Sequence, residues 1–299
     1  MNPNLPDIYT GDGPSLRLAL CQIKTKAWDV AGNVQRTMDA LEEAAAQGAQ
    51  LAVTPECVFH GYGFGENQED TCKRQLEIAE PLDGPRISAV RELAAKTGMH
   101  IVLGFAERAP GDIIHNSAAI ISASGEILDV YRKVHCRTGE HIDHLGAFTP
   151  GDRFVTTEIT VNGVPFRMGT MICFDREIPE SVRCLRAMGA QLVVCPLAWY
   201  TESLDEHMDY AHNEMITRCR AAENEVFIAV VSHSDRFDGG SFVVGPGGEK
   251  LLQLPEEPEV RMIDIPIGAC DKLHAEPFGW MGWGYRRPDV YERHLRLTP

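Results

Sequence analysis

Nowhere in this sequence do some 20 apolar residues run together, the length a membrane-spanning helix needs. Residues 1–15, MNPNLPDIYTGDGPS, lack both the basic and the apolar segments of an export signal. A soluble, unexported chain is the expectation. Basic charge is scarce as well: 28 Lys and Arg stand against 43 Asp and Glu, leaving a formal charge of −15. Nucleic acid and anionic membrane both demand clustered cations to displace counterions, so neither is expected as a partner. The nine cysteines are odd in number, irregularly spaced and without a CxxC pair, which argues against a disulfide framework and a thiolate zinc site. Reduced thiols in a cytoplasm follow.

What is present is enough apolar sequence, in many short runs over 299 residues, to bury a large core. LRLALCQ (16–22) reads as a buried strand, and Val30 to Gln47 has helical periodicity. AQLAVTPE (49–56) reads as strand, Pro85 to Thr97 as helix and His100 to Phe105 as strand, and the runs either side of Ser124–Gly125–Glu126 form a hairpin pattern. The second half repeats the theme with FRMGTMIC (166–173) as strand, a Pro-initiated helix from Pro179 ending at Gly189, and QLVVCP (191–196) as strand. A helix from about Met208 to Asn224, the strand VFIAVVS (226–232) and a second hairpin over 241–254 complete it. Such alternation predicts an α/β layered fold. No linker or low-complexity stretch divides the chain, so one domain is expected over 16–291, between an N-terminal extension (1–15) and a tail (292–299). The aromatic stretch from Gly279 to His294 is expected to bury itself against the body or another subunit.

Three apolar runs end on a reactive group: LAVTP on Glu56, ILDVYR on Lys133 and FRMGTMI on Cys173. In an α/β sheet, strand ends are where sites gather. Taken singly each has an ordinary reading: free Cys is usually core filler, a Glu after Pro caps a turn, and a Lys beside Arg132 guards an edge. Together a thiol, a carboxylate and an ammonium suffice for acyl transfer, with the thiol attacking, the carboxylate moving the proton and the ammonium holding the oxyanion.

The segments TPECVFHGYGF (54–64), YRKVH (131–135) and GTMICFDREIPES (169–181) resemble, in order and separation, the Glu, Lys and Cys motifs of the nitrilase-like carbon-nitrogen hydrolase superfamily. FTPGD (148–152), RAAEN (220–224), GPGG (245–248) and YRRP (285–288) fit the same pattern, so the resemblance runs from about Leu16 to Tyr291. It implies an α-β-β-α four-layer sandwich, commonly dimerised or further assembled through helices, and a cofactor-independent, metal-free amidohydrolase. It also implies Glu56 as general base, Lys133 as oxyanion stabiliser, Cys173 as nucleophile and the main-chain N–H of Phe174 as second oxyanion donor. A position near the N-terminus of the helix at Pro179 favours a Cys173 thiolate.

Family members usually carry a second glutamate about six residues before the ProGly. Counting back from Pro150 lands on His144, while Glu140 lies four residues further upstream and Asp143 is close. Either Glu140 serves from a longer loop or His144 replaces it; Glu140 is the expectation. The alternative use of His135, Cys136, His141 and His144 as zinc ligands is disfavoured by their irregular spacing. His135 instead orients a site group by hydrogen bonding. Tyr62 and Trp199, with Tyr200, emerge at strand ends as pocket wall or core, and Arg220 with Glu223 forms a structural ion pair on one helix face. Nitrilases follow the nucleophile with TrpGlu where this chain has Phe174–Asp175, so an amide or ureido C–N bond is expected rather than a nitrile. Arg176 fits the carbamoyl-amino-acid branch, where it would contact a substrate carboxylate; the alternative is a salt bridge to Asp175, Glu177 or Glu180. Tyr62, His135, Arg176 and Trp199 are thus the expected substrate-binding residues. A zinc hydrolase and a non-catalytic protein that retains the fold are the competing classes.

Overall fold

The computed structural model describes residues 14–63, 67–111, 113–137, 140, 146–199, 210–234, 240–275 and 282–294. In chain order the strands are β1 (Leu16–Gln22), β2 (Leu51–Val53), β3 (His100–Ala109), β4 (Ile113–Ile121), β5 (Ile127–Arg132), β6 (Val155–Val161), β7 (Val164–Thr170), β8 (Leu192–Leu197), β9 (Phe227–Ser232), β10 (Phe242–Val244), β11 (Lys250–Gln253) and β12 (Glu259–Ile265). The helices are α1 (Val30–Ala46), α2 (Gln68–Ile78), α3 (Pro85–Thr97), α4 (Pro179–Ala187), α5 (Tyr210–Asn224), α6 (Gly268–Ala275) and α7 (Pro288–His294).

Two six-stranded sheets form, in the orders β12-β1-β2-β3-β4-β5 and β11-β10-β9-β8-β7-β6. In each, three parallel strands carry one antiparallel neighbour on one side and an antiparallel hairpin on the other. The second sheet therefore repeats the first strand for strand, with β12 returning from the far end of the chain to occupy in the first sheet the place β6 holds in the second.

Period-two alternation explains the layering. Leu16, Leu18 and Leu20 of β1 face β7, β8 and β9 in the core between the sheets. Ala19 and Cys21 point the other way, onto Leu41 and Ala44 of α1 and the apolar face of α3. Val182 and Leu185 of α4 and Ala221 of α5 cover the second sheet. The architecture is the expected α-β-β-α sandwich.

Local chemistry sets the ends of the elements. Proline occupies the first turn of both α3 and α4, where its missing N–H costs nothing. Helix α3 closes on Gly98 at φ +70°, the left-handed cap that glycine accepts without strain. Helix α2, which no apolar periodicity announces, begins where the Asn67 side chain accepts the Asp70 N–H. The strands β6 and β12 also go beyond the sequence-based expectation. The C-terminal stretch docks in part: the guanidinium groups of Arg186 and Arg286 lie over the Trp283 ring, 4.4 and 3.3 Å from its centroid, while Tyr285 is exposed.

Candidate active site

Strands β2 and β5 run in the same direction in the first sheet. Their C-terminal ends deliver Glu56 and Lys133, and the segment after β7 of the second sheet delivers Cys173. Close approach is built in by glycine: a Cβ on Gly104 of β3 would lie 2.3 Å from the Pro55 carbonyl oxygen, and one on Gly151 would lie 2.2 Å from that of Arg132. The FTPGD segment thus packs against the strand end that carries Lys133, with the Gly151 N–H donating to the Lys133 carbonyl at 2.8 Å. The Glu56 main chain is tied to the opposite sheet: its N–H donates to Leu197 O at 3.4 Å, and the fully buried His233 ring contacts its carbonyl at 2.7 Å and Thr25 at 2.7 Å.

Lys133 is buried and donates from Nζ to Glu56 Oε1 at 2.9 Å and to both oxygens of Glu140, at 2.9 and 2.8 Å. Burial alone would lower its pKa, but the Glu56 carboxylate and Cys173 more than reverse this and raise it, so the ammonium persists. Glu140 also accepts from Tyr62 Oη and, at 2.8 Å, from the Arg137 N–H. Burial and the Glu56 charge push the Glu140 carboxyl well above the usual carboxylate range against the pull of that N–H. Glu140 therefore occupies the position beside the lysine; Asp143 and His144 lie outside the described residues.

Cys173 opens a 3-10 turn (Cys173–Glu177) at φ +48°, a left-handed conformation that costs an L-residue about 1–2 kcal/mol. Cys57 and Tyr62 share this strain, at +46° and +47°. Strained non-glycine residues persist where surrounding structure holds them, and three of the strained positions lie around this one cluster. Asp175 does much of the holding. This buried carboxylate accepts from Ile172 N at 3.0 Å, His135 N at 2.9 Å and Tyr131 Oη at 2.6 Å, and pairs with His135 Nδ1 at 2.8 Å, so it ties the cysteine turn to the lysine segment. Arg220 of α5 clamps the same turn through the carbonyls of Arg176 and Glu177 while pairing with Glu223 at 3.2 Å, which makes that pair structural as expected.

One expectation is corrected. Burial raises the Cys173 pKa well above that of a free thiol, the Glu56 charge raises it further, and the opposing Lys133 and Arg176 do not overcome them. The helix at Pro179 starts only after the intervening 3-10 turn, so its dipole does not produce a thiolate. The resting group is a thiol and needs a base during attack.

The expected pocket residues divide. Tyr62 and His135 spend polar atoms on Glu140 and Asp175. Arg176 is fully buried, and none of its three guanidinium nitrogens has a hydrogen-bond partner among the described residues; it lies 5.5 Å from the centroid of the buried Trp199 ring. The salt bridge to Asp175, Glu177 or Glu180 does not form. Cys136 faces the Lys133 carbonyl at 3.8 Å, no three His, Cys, Asp or Glu groups among the described residues converge as metal ligands, and His141, His144 and Tyr200 lie outside those residues. Sequence reasoning did not single out Asn116, whose Nδ2 donates to Glu56 Oε1 at 2.6 Å, nor His233.

His60 stacks on Trp28 and lies tilted to the Tyr62 ring, and neither of its ring nitrogens has a hydrogen-bond partner among the described residues. Burial holds its pKa down to about 4, against 6.5 ordinarily. Between these values the unfolded chain binds the extra proton, so the folded state's advantage is complete above pH 6.5 and is lost as pH falls towards 4. The interval corresponds to about 3 kcal/mol. Replacing His60 with Phe is expected to flatten the stability profile across that range in thermal melts; an unchanged slope would remove His60 as the cause.

The carbon-nitrogen hydrolase family model matches residues 17–275. The chain is 31% identical over 266 residues to an (R)-stereoselective amidase of a Pseudomonas species, covering 87% of each sequence. It is 30% identical over 289 residues to an N-carbamoylputrescine amidase of Arabidopsis thaliana, covering 90% of this chain and 92% of that one. In structure it is similar, at a TM-score of 0.73 and 26% identity over 95% of this chain and 99% of the other, to a glutamate-to-glutamine variant of an amidase from Nesterenkonia that shows covalent addition of the acetamide moiety of fluoroacetamide at its active-site cysteine. Fold and sequence together define a hydrolase of carbon-nitrogen bonds. The chain belongs to the carbon-nitrogen hydrolase family, with the amidases of the nitrilase superfamily as its relatives.

Proposed function

We propose that this enzyme hydrolyses the amide or ureido C–N bond of a small carboxylate-bearing substrate, with Cys173 as nucleophile, Glu56 as general base, and Lys133 with the Phe174 N–H as oxyanion donors. The observation that carries the reading is the buried cluster in which one ammonium serves two carboxyl groups beside a neutral thiol. Glu56 Oε1 is occupied, while Oε2 is buried with no partner among the described residues, ready to accept the thiol proton. As the sulfur bonds to the carbonyl carbon, negative charge develops on the substrate oxygen beside Lys133 and the Phe174 N–H. Collapse expels ammonia or an amine, which takes its proton from Glu56, and leaves a Cys173 thioester. Water deprotonated by Glu56 then releases the carboxylic acid and the thiol. Glu140 fixes Lys133 from the other side.

Arg176 supports a carboxylate on the substrate. A buried guanidinium with no counter-ion among the described residues is costly to hold, and a bidentate carboxylate is the ligand its planar fork fits best. This favours an N-carbamoyl amino acid or the ω-amide of a dicarboxylic acid over a plain aliphatic amide. Replacing Arg176 with Leu is expected to raise KM for carboxylate substrates about 100-fold or more while affecting neutral amides of equal length less than about tenfold. Equal losses on both would assign Arg176 to the scaffold. Ammonia release over a panel of short amides, ω-amides and N-carbamoyl compounds, with Cys173→Ser as blank, tests the function as a whole. Release only in the active enzyme supports it, and equal release by the blank refutes it. The nine free cysteines fit a reducing, cytoplasmic setting, and a homodimer or higher homo-oligomer fits the family's assembly.

A further inference from the structure

Asn116 lies buried in β4, beside the strand end that carries Lys133, whose N–H donates to the Asn116 carbonyl at 2.8 Å. Its carboxamide makes two directional contacts. Nδ2 donates to Glu56 Oε1 at 2.6 Å, and Oδ1 accepts from the Cys57 thiol at 3.4 Å. Lys133 donates to the same Oε1 at 2.9 Å. The two oxygens of Glu56 are thereby made unlike: Oε1 carries two strong donors, and Oε2, equally buried, carries none among the described residues.

We propose that Asn116 is a positioning residue that makes Glu56 Oε2 the proton-accepting oxygen, and that the Cys57 thiol fixes the amide in the orientation this requires. The physical reason lies in donor count. An oxygen that already accepts an N–H and an ammonium is a poor site for a further proton, while the bare oxygen of the same group is the more basic one. The arrangement also lowers the reorganisation needed in the reaction, because the carboxylate cannot rotate without breaking both bonds. Amide orientation is decisive. With nitrogen and oxygen exchanged, the Asn116 carbonyl would face the Glu56 carboxylate, acceptor against acceptor, and the Cys57 S–H would face an N–H. The Cys57 thiol is suited to its part. Burial, and the Glu56 charge after it, raise its pKa well above that of a free thiol, so it remains an S–H donor. The backbone at Cys57 holds a left-handed conformation at φ +46° directly after Glu56, so the residue that supplies the donor also shapes the turn that presents the base.

The inference rests on Glu56 being the base, and its test separates the two. The acid limb of the kcat/KM pH profile reports the base in the free enzyme. Asn116→Ala removes a donor to the ionised carboxylate, so the limb is expected to move up by about one pH unit. At the pH optimum kcat should fall about tenfold or more, with KM within about threefold. Asn116→Asp, which sets a second carboxylate against Glu56, should move the limb further. Cys57→Val, which frees the amide to turn, should move it in the same direction, and Cys57→Ser, which restores a donor, should bring it back. A limb unmoved in Asn116→Ala, or a loss of activity matched only by a loss of thermal stability, would overturn the proposal. If the Asn116 variants do not fold, the Cys57 pair decides alone, and equal limbs in Val and Ser overturn it. Glu56→Gln serves as the control. Near-wild-type turnover there would remove the base assignment itself, whereas an inactive Glu56→Gln beside an unmoved limb in Asn116→Ala would remove only the role given to Asn116.

Discussion

Replacing Cys173 with alanine is expected to lower kcat by at least about a thousandfold while leaving substrate binding and the melting temperature near their wild-type values. The size follows from the proposed mechanism, in which every turnover passes through a bond to this sulfur and the residual rate is what the proposed oxyanion donors, Lys133 and the Phe174 N–H, and binding can do with water alone. Stability should survive because the change removes a single sulfur atom at the margin of the core between the sheets. Relief of strain is not expected, since alanine at φ +48° meets the same backbone penalty. Steady-state ammonia release and a thermal melt on the same preparation check both halves. Activity above about a tenth of wild type would contradict the assignment.

Replacing Lys133 with alanine is the second large effect, and it strikes activity and stability together. Loss of an oxyanion donor costs about 100- to 1,000-fold in kcat. Removing the ammonium also leaves Glu56 and Glu140 facing each other in a buried site with no cation between them, and breaking a buried ion pair from one side costs about 3–5 kcal/mol. The deficit has a pH signature. The Glu140 carboxyl already sits well above the usual carboxylate range, and losing the ammonium makes it still harder to ionise than in the unfolded chain, so the variant should lose stability relative to wild type as pH rises from the usual carboxylate range through neutrality. Melts across that range, read beside kcat measured well below the melting temperature, separate the chemical loss from the structural one. A variant whose stability deficit shrinks with rising pH would contradict the charge arrangement.

Much of the frame was legible because it follows local rules. Pro85 and Pro179 mark helix starts, Gly189 a helix end, and the runs around Ser124–Gly125–Glu126 a hairpin, and the structure has each of them. Strand β12 escaped because its exposed charges interrupt a short apolar run, and its partner β1 lies more than two hundred residues away in sequence. Helix α2 escaped because its sequence is polar around most of its circumference. In the site, Glu56, Lys133 and Cys173 stand out at strand ends, whereas Glu140 is preferred only as the nearest glutamate, since the spacing itself lands on His144. Asn116 and His233 did not stand out, and Asp175 reads from the sequence only as a branch marker after the nucleophile and a candidate partner of Arg176. Their partners are distant in sequence, and a buried polar residue within or after an apolar strand reads only as a break in pattern until the opposite element is seen. The Cys173 thiol was misjudged for a related reason: a helix start can be read from Pro179, whereas the burial that raises a pKa belongs to the assembled sheets.

The central claim is that catalysis passes through a covalent bond between the substrate acyl group and Cys173. Rapid acid quench of the enzyme during turnover of an active amide, followed by intact-mass measurement and peptide mapping, tests it directly. The expected result is a mass gain equal to the acyl group on the peptide containing Cys173, absent in Cys173→Ala and discharged when substrate is exhausted. Turnover at the full rate with no acyl-enzyme at any quench time, joined by persistent activity in Cys173→Ala, would contradict it, as would an adduct that maps instead to another cysteine such as the exposed Cys219.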